Sequence, residues 1–225
     1  MIIGISGYAG SGKDTVGKIV QYLMGGKQDP FAFSIEDAIN KPEEYDWVLD
    51  DSSDWEIRKF ADKLKDIAAH LLGVEPEDFE DPEFKKSVLP SMWWTTCDEG
   101  LQPMTVREFL QKLGTDAMRN GLHTNVWVNA LMADYECTPA DRAPGGWDCD
   151  NWIITDTRFP NEAKAIKERE GIIIRIDRPG FKPVNAHPSE TSLDKWDFDY
   201  RIANVSDLFS LKATVQNILK HAKLL

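Results

Sequence analysis

GYAGSGKDT, residues Gly7 to Thr15, follows the apolar run MIIGIS (Met1 to Ser6) and precedes VGKIVQYLM (Val16 to Met24). A short apolar run that stops at a glycine is the pattern of a buried parallel strand ending at its carboxyl edge. Val16, Ile19, Val20 and Leu23 recur at helical spacing, and Gly25-Gly26 closes that pattern. Strand, glycine-rich turn and helix in this order form a phosphate-binding loop, because Gly7, Gly12 and Lys13 fit G-x-x-x-x-G-K. Backbone N–H groups of such a turn converge on one anion, and the amino end of the helix adds its partial positive charge. In that arrangement Lys13 reaches the β- and γ-phosphates of a bound nucleotide.

The next letter departs from the usual pattern: Asp14 stands where Ser or Thr ordinarily holds magnesium, and Thr15 follows it. Two readings stay open. An acid in the first helical turn complements the helix dipole by itself, or Asp14 and Thr15 hold water on Mg²⁺. A guanine-specific switch is excluded by the lack of an N-K-x-D run.

The outward reading extends the α/β pattern. Trp55 to Phe60 alternates as a short strand, and ADKLKDIAAHLLG is an amphipathic helix closed by Gly73. Thr105 with Glu108 three residues on has capping-box spacing before VREFLQKLGTDAMRN, and a further helix covers Val126 to Tyr135. Trp152 to Thr155 makes a second buried strand ending in Asp156. Helix NEAKAIKERE and strand IIIRI from Ile172 complete a β-α-β unit. A short strand at Tyr200 to Ile202 and a helix from Asp207 to His221 end the pattern. Carboxyl ends of parallel strands line the ligand crevice of an open α/β sheet, so Asp156 is placed to meet Mg²⁺ and Arg158 to meet a phosphate bidentately.

One domain spanning 1–225 is expected, with an acidic surface insertion at about 25–54 holding a short helix at Ser34 to Asn40. A loop-rich lobe at about 74–103 and a segment at about 178–196, a candidate lid that reads equally as an ordered surface loop, complete it, the turn-rich stretch CTPADRAPGGWDCD being read as exposed. With 26 basic against 38 acidic residues the net charge is −12, which disfavours a chain that wraps nucleic acid and requires local cations for any anionic ligand. Cys97, Cys137 and Cys149 have neither C-x-x-C spacing nor even number. Neither a disulfide framework nor a zinc site is expected, and a reducing cytoplasm fits. No apolar run reaches the roughly 18 residues of a spanning helix, and no signal peptide is legible, so no membrane is expected. His70, His123, His187 and His221 are isolated.

Several separated segments resemble one family in order: GSGKDT, FADKLKD, VREFLQKLGTDAMR with Trp127 beyond it, IITDTRFPNEA, and RPG followed by HPSE. They are similar to the deoxynucleoside monophosphate kinases of tailed bacteriophages, whose members use G-K-D-T as written here. The resemblance implies a P-loop kinase core, a parallel sheet flanked by helices. It also implies transfer of the ATP γ-phosphoryl group to a deoxynucleoside 5′-monophosphate with Mg²⁺. Carried over, Gly10, Ser11, Gly12, Lys13, Asp14 and Thr15 cradle ATP; Asp14, Thr15 and Asp156 stay metal-side candidates from the reading of the residues themselves. Lys65 lies by the monophosphate, Gly114, Thr115 and Trp127 shape the deoxynucleotide pocket, Arg158 and Glu162 contact the monophosphate and sugar or base, and Arg107 adds a phosphate contact. Lys13, Lys65 and Arg158 form the catalytic set. His187 and Glu190 match a pattern without an assigned role, and Lys85 and Lys86 fall in a poorly matched stretch. The resemblance is compatible with a homodimer and with work in the host cytoplasm. Two other readings stand beside it: a small-metabolite P-loop kinase resembling dephospho-coenzyme A kinase, and a nucleotide-binding module without transfer activity. Neither the accepted base nor the preference for deoxyribose can be read from these residues.

Overall fold

A computed structural model describes residues 1–25, 34–97, 100–139, 147–180, 191–205 and 207–225. The chain divides into two compact units, Met1–Lys59 with Asp134–Leu225, and Phe60–Ala133.

The first unit is built on one parallel sheet. Strands β1 (Ile2–Gly7), β2 (Trp55–Arg58), β7 (Asn151–Ile154), β8 (Ile172–Asp177) and β9 (Tyr200–Ala203) lie in the order β2-β7-β1-β8-β9, and every neighbouring pair is parallel. β1 takes the middle because Ile2, Ile3 and Ile5 are all fully buried, as a strand covered on both faces requires. Helix α1 (Lys13–Met24) buries Val16, Ile19 and Val20, and α9 (Leu208–His221) adds Leu211, Val215 and Leu219 to the same core. Helix α8 (Pro160–Lys167) provides the crossover between β7 and β8, seating Ile166 so close to Gly4 that a Cβ there would lie 2.7 Å from its Cδ1. This is the expected α/β arrangement, a parallel sheet flanked by helices.

Two segments differ from the expectation. The acidic stretch at 25–54 is not a surface appendage. After the expected α2 (Ile35–Asn40) it forms α3 (Pro42–Ser52), and Ile35, Ala38 and Leu49 sink into the core of the sheet. Pro42 at the first turn with Glu43 and Glu44 behind it starts α3, but its acidic sequence hides the single deeply buried face. Residues 26–33 of that stretch lie outside the described residues. The second correction concerns the cysteines. Cys137 and Cys149 are joined in a disulfide, because β5 (Cys137–Pro139) and β6 (Trp147–Cys149) pair antiparallel and set the two residues opposite each other, Cα atoms 4.0 Å apart. The linear spacing of twelve residues shows no sign of this; a hairpin supplies it. Residues 140–146, with Gly145-Gly146, lie outside the described residues.

The second unit is mostly helical. Helix α4 (Asp62–Leu72) ends at Gly73 in the left-handed conformation, φ 68°. The stretch read as a loop-rich lobe holds a 3₁₀ turn at Pro76–Glu80, α5 (Pro82–Lys86), another turn at Ser91–Trp93 and the hairpin of β3 (Thr95–Cys97) with β4 (Gly100–Gln102). Phe79 and Leu89 anchor it, and Trp93 packs edge-on against Phe109 at 5.2 Å. The Thr105 capping box is formed: Thr105 Oγ1 accepts from the Glu108 N–H at 3.2 Å, and Glu108 Oε2 accepts from the Thr105 N–H at 2.8 Å. It opens α6 (Val106–Gln111), which continues as a π-helix over Lys112–Leu122 before α7 (Val126–Met132). Among the described residues no helix is long and apolar enough to cross a membrane.

The disulfide is open to a direct check. Denatured without reductant, the protein should present one thiol, Cys97, to a labelling reagent, and all three after reduction; three thiols at the outset would mean that the bridge does not form.

Candidate functional site

The phosphate loop leaves the carboxyl end of β1. Gly10 and Gly12 both take positive φ, 75° and 97°, so two backbone turns inside five residues use a region that side chains rarely adopt. Gly12 is doubly constrained, since an added Cβ would also stand 2.7 Å from Asn204 Nδ2. The Ser11 N–H closes the turn onto the Tyr8 carbonyl at 3.1 Å, and the Val16 N–H leads the chain into α1 by donating to the Gly12 carbonyl at 3.0 Å. Lys13 is buried, with Nζ donating to the Tyr8 carbonyl at 2.9 Å. Ser11 is also buried, and its Oγ has no hydrogen-bond partner among the described residues.

Asp14 faces the end of β7. Its Oδ1 accepts from the buried Thr155 hydroxyl at 3.0 Å and pairs with Lys59 Nζ at 3.6 Å. Crowding by the loop raises the cost of the Asp14 charge. Lys59, the Thr155 hydroxyl and Lys13 outweigh that cost and hold the carboxyl below the ordinary aspartate value. Asp156 and Arg158 follow at the same strand end, half-buried. Glu162 is buried, and Oε2 accepts from the backbone N–H groups of Arg158 (2.8 Å) and Phe159 (3.0 Å). This carboxylate therefore fixes the backbone that carries Arg158, and it also stabilises the amino end of α8.

Three residues that sequence reasoning passed over surround the loop. Lys59 follows β2 directly, a position whose only sequence signal is a cation beside a strand end. Arg175 is a buried cation between Ile174 and Ile176 of β8: it donates to Asp177 at 3.1 Å and to Asp194 at 3.3 Å and lies over the Tyr8 ring at 4.6 Å. The Tyr8 hydroxyl donates to Asp194 at 2.9 Å, and partial burial together with that carboxylate pushes the phenol above its ordinary value. Asn204, at the end of β9, donates from Nδ2 to the Ser11 carbonyl at 2.9 Å.

The other candidates sit in the second unit. Lys65, on α4, is mostly buried and paired with Asp62 at 3.6 Å and with Glu80. Gly114 lies on the π-helix, where a Cβ would come within 2.7 Å of Leu64 Cδ2, and its carbonyl accepts from Trp127 Nε1 at 2.8 Å. The structure thus brings Gly114 and Trp127 together, with Thr115 half-buried beside them. Arg107 is exposed on α6, and Lys85 and Lys86 are on α5. A cleft of about 360 Å³ in this unit is lined by apolar side chains such as Leu71, Trp93, Met104 and Phe109 together with Lys112 and Asp116, and none of the candidate residues lines it. His187, Glu190 and most of the segment read as a lid lie outside the described residues. No group of three or more His, Cys, Asp or Glu side chains that could hold a metal occurs among the described residues.

A family model described as deoxynucleotide monophosphate kinase matches residues 62–215. The chain belongs to that family. The match begins after the phosphate loop, so the loop is an independent observation about this deoxynucleotide monophosphate kinase family member. A putative deoxynucleotide monophosphate kinase of Acanthamoeba polyphaga mimivirus is 33% identical over 152 residues, 60% of this chain and 67% of that protein. The deoxynucleotide monophosphate kinase of Enterobacteria phage T4 is 33% identical over 52% of this chain and 46% of its own length, so the match spans less than half of that relative. The deoxynucleoside-5′-monophosphate kinase of Escherichia phage T5 is 23% identical over 96% of this chain and 95% of its own length.

The state of Asp14 is measurable. In a carboxyl NMR titration Asp14 should titrate below ordinary aspartates, and Lys59→Met should move it up. Because the folded value is depressed, its charge contributes stability above about pH 4 that is lost as the pH falls through the folded value. An unshifted Asp14, or no response to Lys59→Met, would remove the ion pair from the account.

Proposed function

We propose that the protein transfers the γ-phosphoryl group of ATP to a deoxynucleoside 5′-monophosphate, giving ADP and a deoxynucleoside diphosphate. The observation that carries this reading is a two-glycine phosphate loop at the end of β1, with a buried Lys13, in a chain of this family. The residues present fit a nucleotide triphosphate. The buried Ser11 hydroxyl, without a partner among the described residues, is a group that a phosphate oxygen satisfies, and the loop glycines leave room for backbone N–H groups to approach an anion. They also fit Mg²⁺ in its usual mode, in which one or two carboxylates and the substrate's own phosphates hold a cation that keeps several waters. Asp14, with Thr15 and Asp156, is the proposed protein side of that ion.

Phosphoryl transfer asks little covalent chemistry of the protein, since charge in a loose transition state spreads over the equatorial oxygens and positioning and cations carry most of the rate. Mg²⁺, when bound, supplies neutralisation of the β- and γ-oxygens. Gly10, Ser11, Gly12 and Thr15 hold the phosphates of ATP, and Lys13 gives up the Tyr8 carbonyl to reach them. Arg158, its backbone set by Glu162, meets the phosphate of the acceptor or the group in flight. Lys65, Arg107, Gly114, Thr115 and Trp127 serve acceptor recognition, Glu162 acting through Arg158 rather than by a contact of its own. An acceptor phosphate oxygen is already anionic, so no dedicated general base is required. ATP and a deoxynucleoside monophosphate meet in the cytoplasm of an infected host, where a phage-type enzyme of this kind works.

The test is ADP release with ATP and Mg²⁺, each of the four deoxynucleoside monophosphates and each ribonucleotide counterpart being offered as acceptor. Turnover stimulated by deoxy acceptors is the expected result; stimulation by dephospho-coenzyme A alone, or by none, would overturn the reading. Arg158→Ala should leave ATP binding nearly intact and lower the transfer rate by about 10²- to 10³-fold.

A further inference from the structure

Two consecutive carbonyls of the phosphate loop are held from outside it. Asn204 Nδ2 donates to the Ser11 carbonyl at 2.9 Å, and Arg178 Nη1 donates to the Gly10 carbonyl at 3.2 Å. Both donors come from the carboxyl ends of the last two strands of the sheet, Arg178 one residue beyond β8 and Asn204 one residue beyond β9. Asn204 is itself anchored, because its backbone N–H donates to the Asp177 carbonyl at 2.8 Å and so prolongs the β8–β9 ladder. Arg178 is exposed and its bond competes with water, whereas Asn204 is half-buried against Gly12, at the place a Cβ would occupy.

A trans peptide points its C=O and the following N–H to opposite sides of one plane. Fixing the Ser11 carbonyl toward Asn204 therefore aims the Gly12 N–H away from it, and this is one of the amides on which anion binding by such a loop depends. Glycine at position 12 permits the required φ of 97° but does not select it, since glycine explores both signs of φ freely. Something outside the loop has to make the selection.

We infer that Asn204 is a positioning residue for the phosphate loop, holding the Ser11–Gly12 peptide in the orientation that presents its N–H to the nucleotide phosphates. The inference rests on the reading that this loop binds the phosphates of ATP. It assigns to the β9 end a part in donor binding that no sequence motif announces, across 193 residues of chain.

Asn204→Ala and Asn204→Leu, the second keeping the bulk without a donor or a charge, would each be titrated with Mg-ATP and with inorganic tripolyphosphate. Both variants should bind both probes about tenfold more weakly, the loss expected when one hydrogen bond and the order it imposes are removed. Their ligand-free melting temperatures should stay close to that of the parent, and in turnover KM for ATP should rise while KM for the acceptor does not. Unchanged affinity for both probes would overturn the inference. So would a loss confined to ATP, which would place Asn204 against the base or sugar, or an equal loss in ATP and acceptor affinity, which would mean general damage. If Asn204→Ala does not fold, Asn204→Leu decides. The titrations need neither acceptor nor turnover, so a parent protein that binds ATP but transfers nothing would count against the proposed function and leave this test intact.

Discussion

The seat of β1 between β7 and β8 is the constraint on which everything else rests. With Ile2, Ile3 and Ile5 fully buried and both edges of the strand bonded in parallel register, the position of Gly7 is fixed by the whole sheet. A strand so enclosed can leave the sheet only at its end, and the chain beyond Gly7 has to turn sharply enough for α1 to pack back on the same core. The glycines of the loop satisfy that geometric demand first. Their capacity to present amides to an anion derives from it, which is why the binding chemistry and the fold share the same few residues.

Four cations among the candidate residues and around the loop are already paired in the ligand-free protein. Lys59 pairs with Asp14, Lys65 with Asp62 and Glu80, Lys13 with the Tyr8 carbonyl, and Arg175 with Asp177 and Asp194. Arg175 is the most deeply buried of them, and because Asp177 and Asp194 both face it from partly exposed positions, water screens each pair and losing either carboxylate leaves the other in place. In a chain of net charge −12, such pairing stores positive charge without advertising it.

What could be read from the sequence was whatever local periodicity and spacing encode. The strand ending at Gly7, the Gly73 stop and the Thr105–Glu108 box all involve neighbours within a few residues and stand where they were expected, and the second buried strand is there with its end at Ile154, two residues short of Asp156. Helix α3 escaped because its acidic residues outnumber its buried ones, so tertiary packing on Leu49 decides it rather than amphipathicity. The Cys137–Cys149 bridge escaped because strand pairing, not spacing, brings the sulfurs together. Arg175 was legible only as an odd charge in an apolar strand, and its bond to Ser6 spans 169 residues. Motif similarity names Glu162 and Lys65 but not the atoms they serve: the Glu162 carboxylate accepts from the Arg158 and Phe159 N–H groups, and Lys65 pairs with Asp62 and Glu80.

The pairing of β2 with β7 has a consequence for how the molecule is made. Trp55 to Arg58 run parallel to Asn151 to Ile154, so the residues between, the whole second unit included, leave the sheet at the carboxyl end of β2 and return to it at the amino end of the neighbouring β7. Length and sequence in that excursion can drift without altering the register of the sheet, since the ladder pins both points of departure. The same arrangement makes this ladder a late event in folding. Its two halves meet only after the long intervening chain has been synthesised and its loop entropy met by other contacts, so the β1–α1 segment must wait for distant partners before its loop is held in working shape.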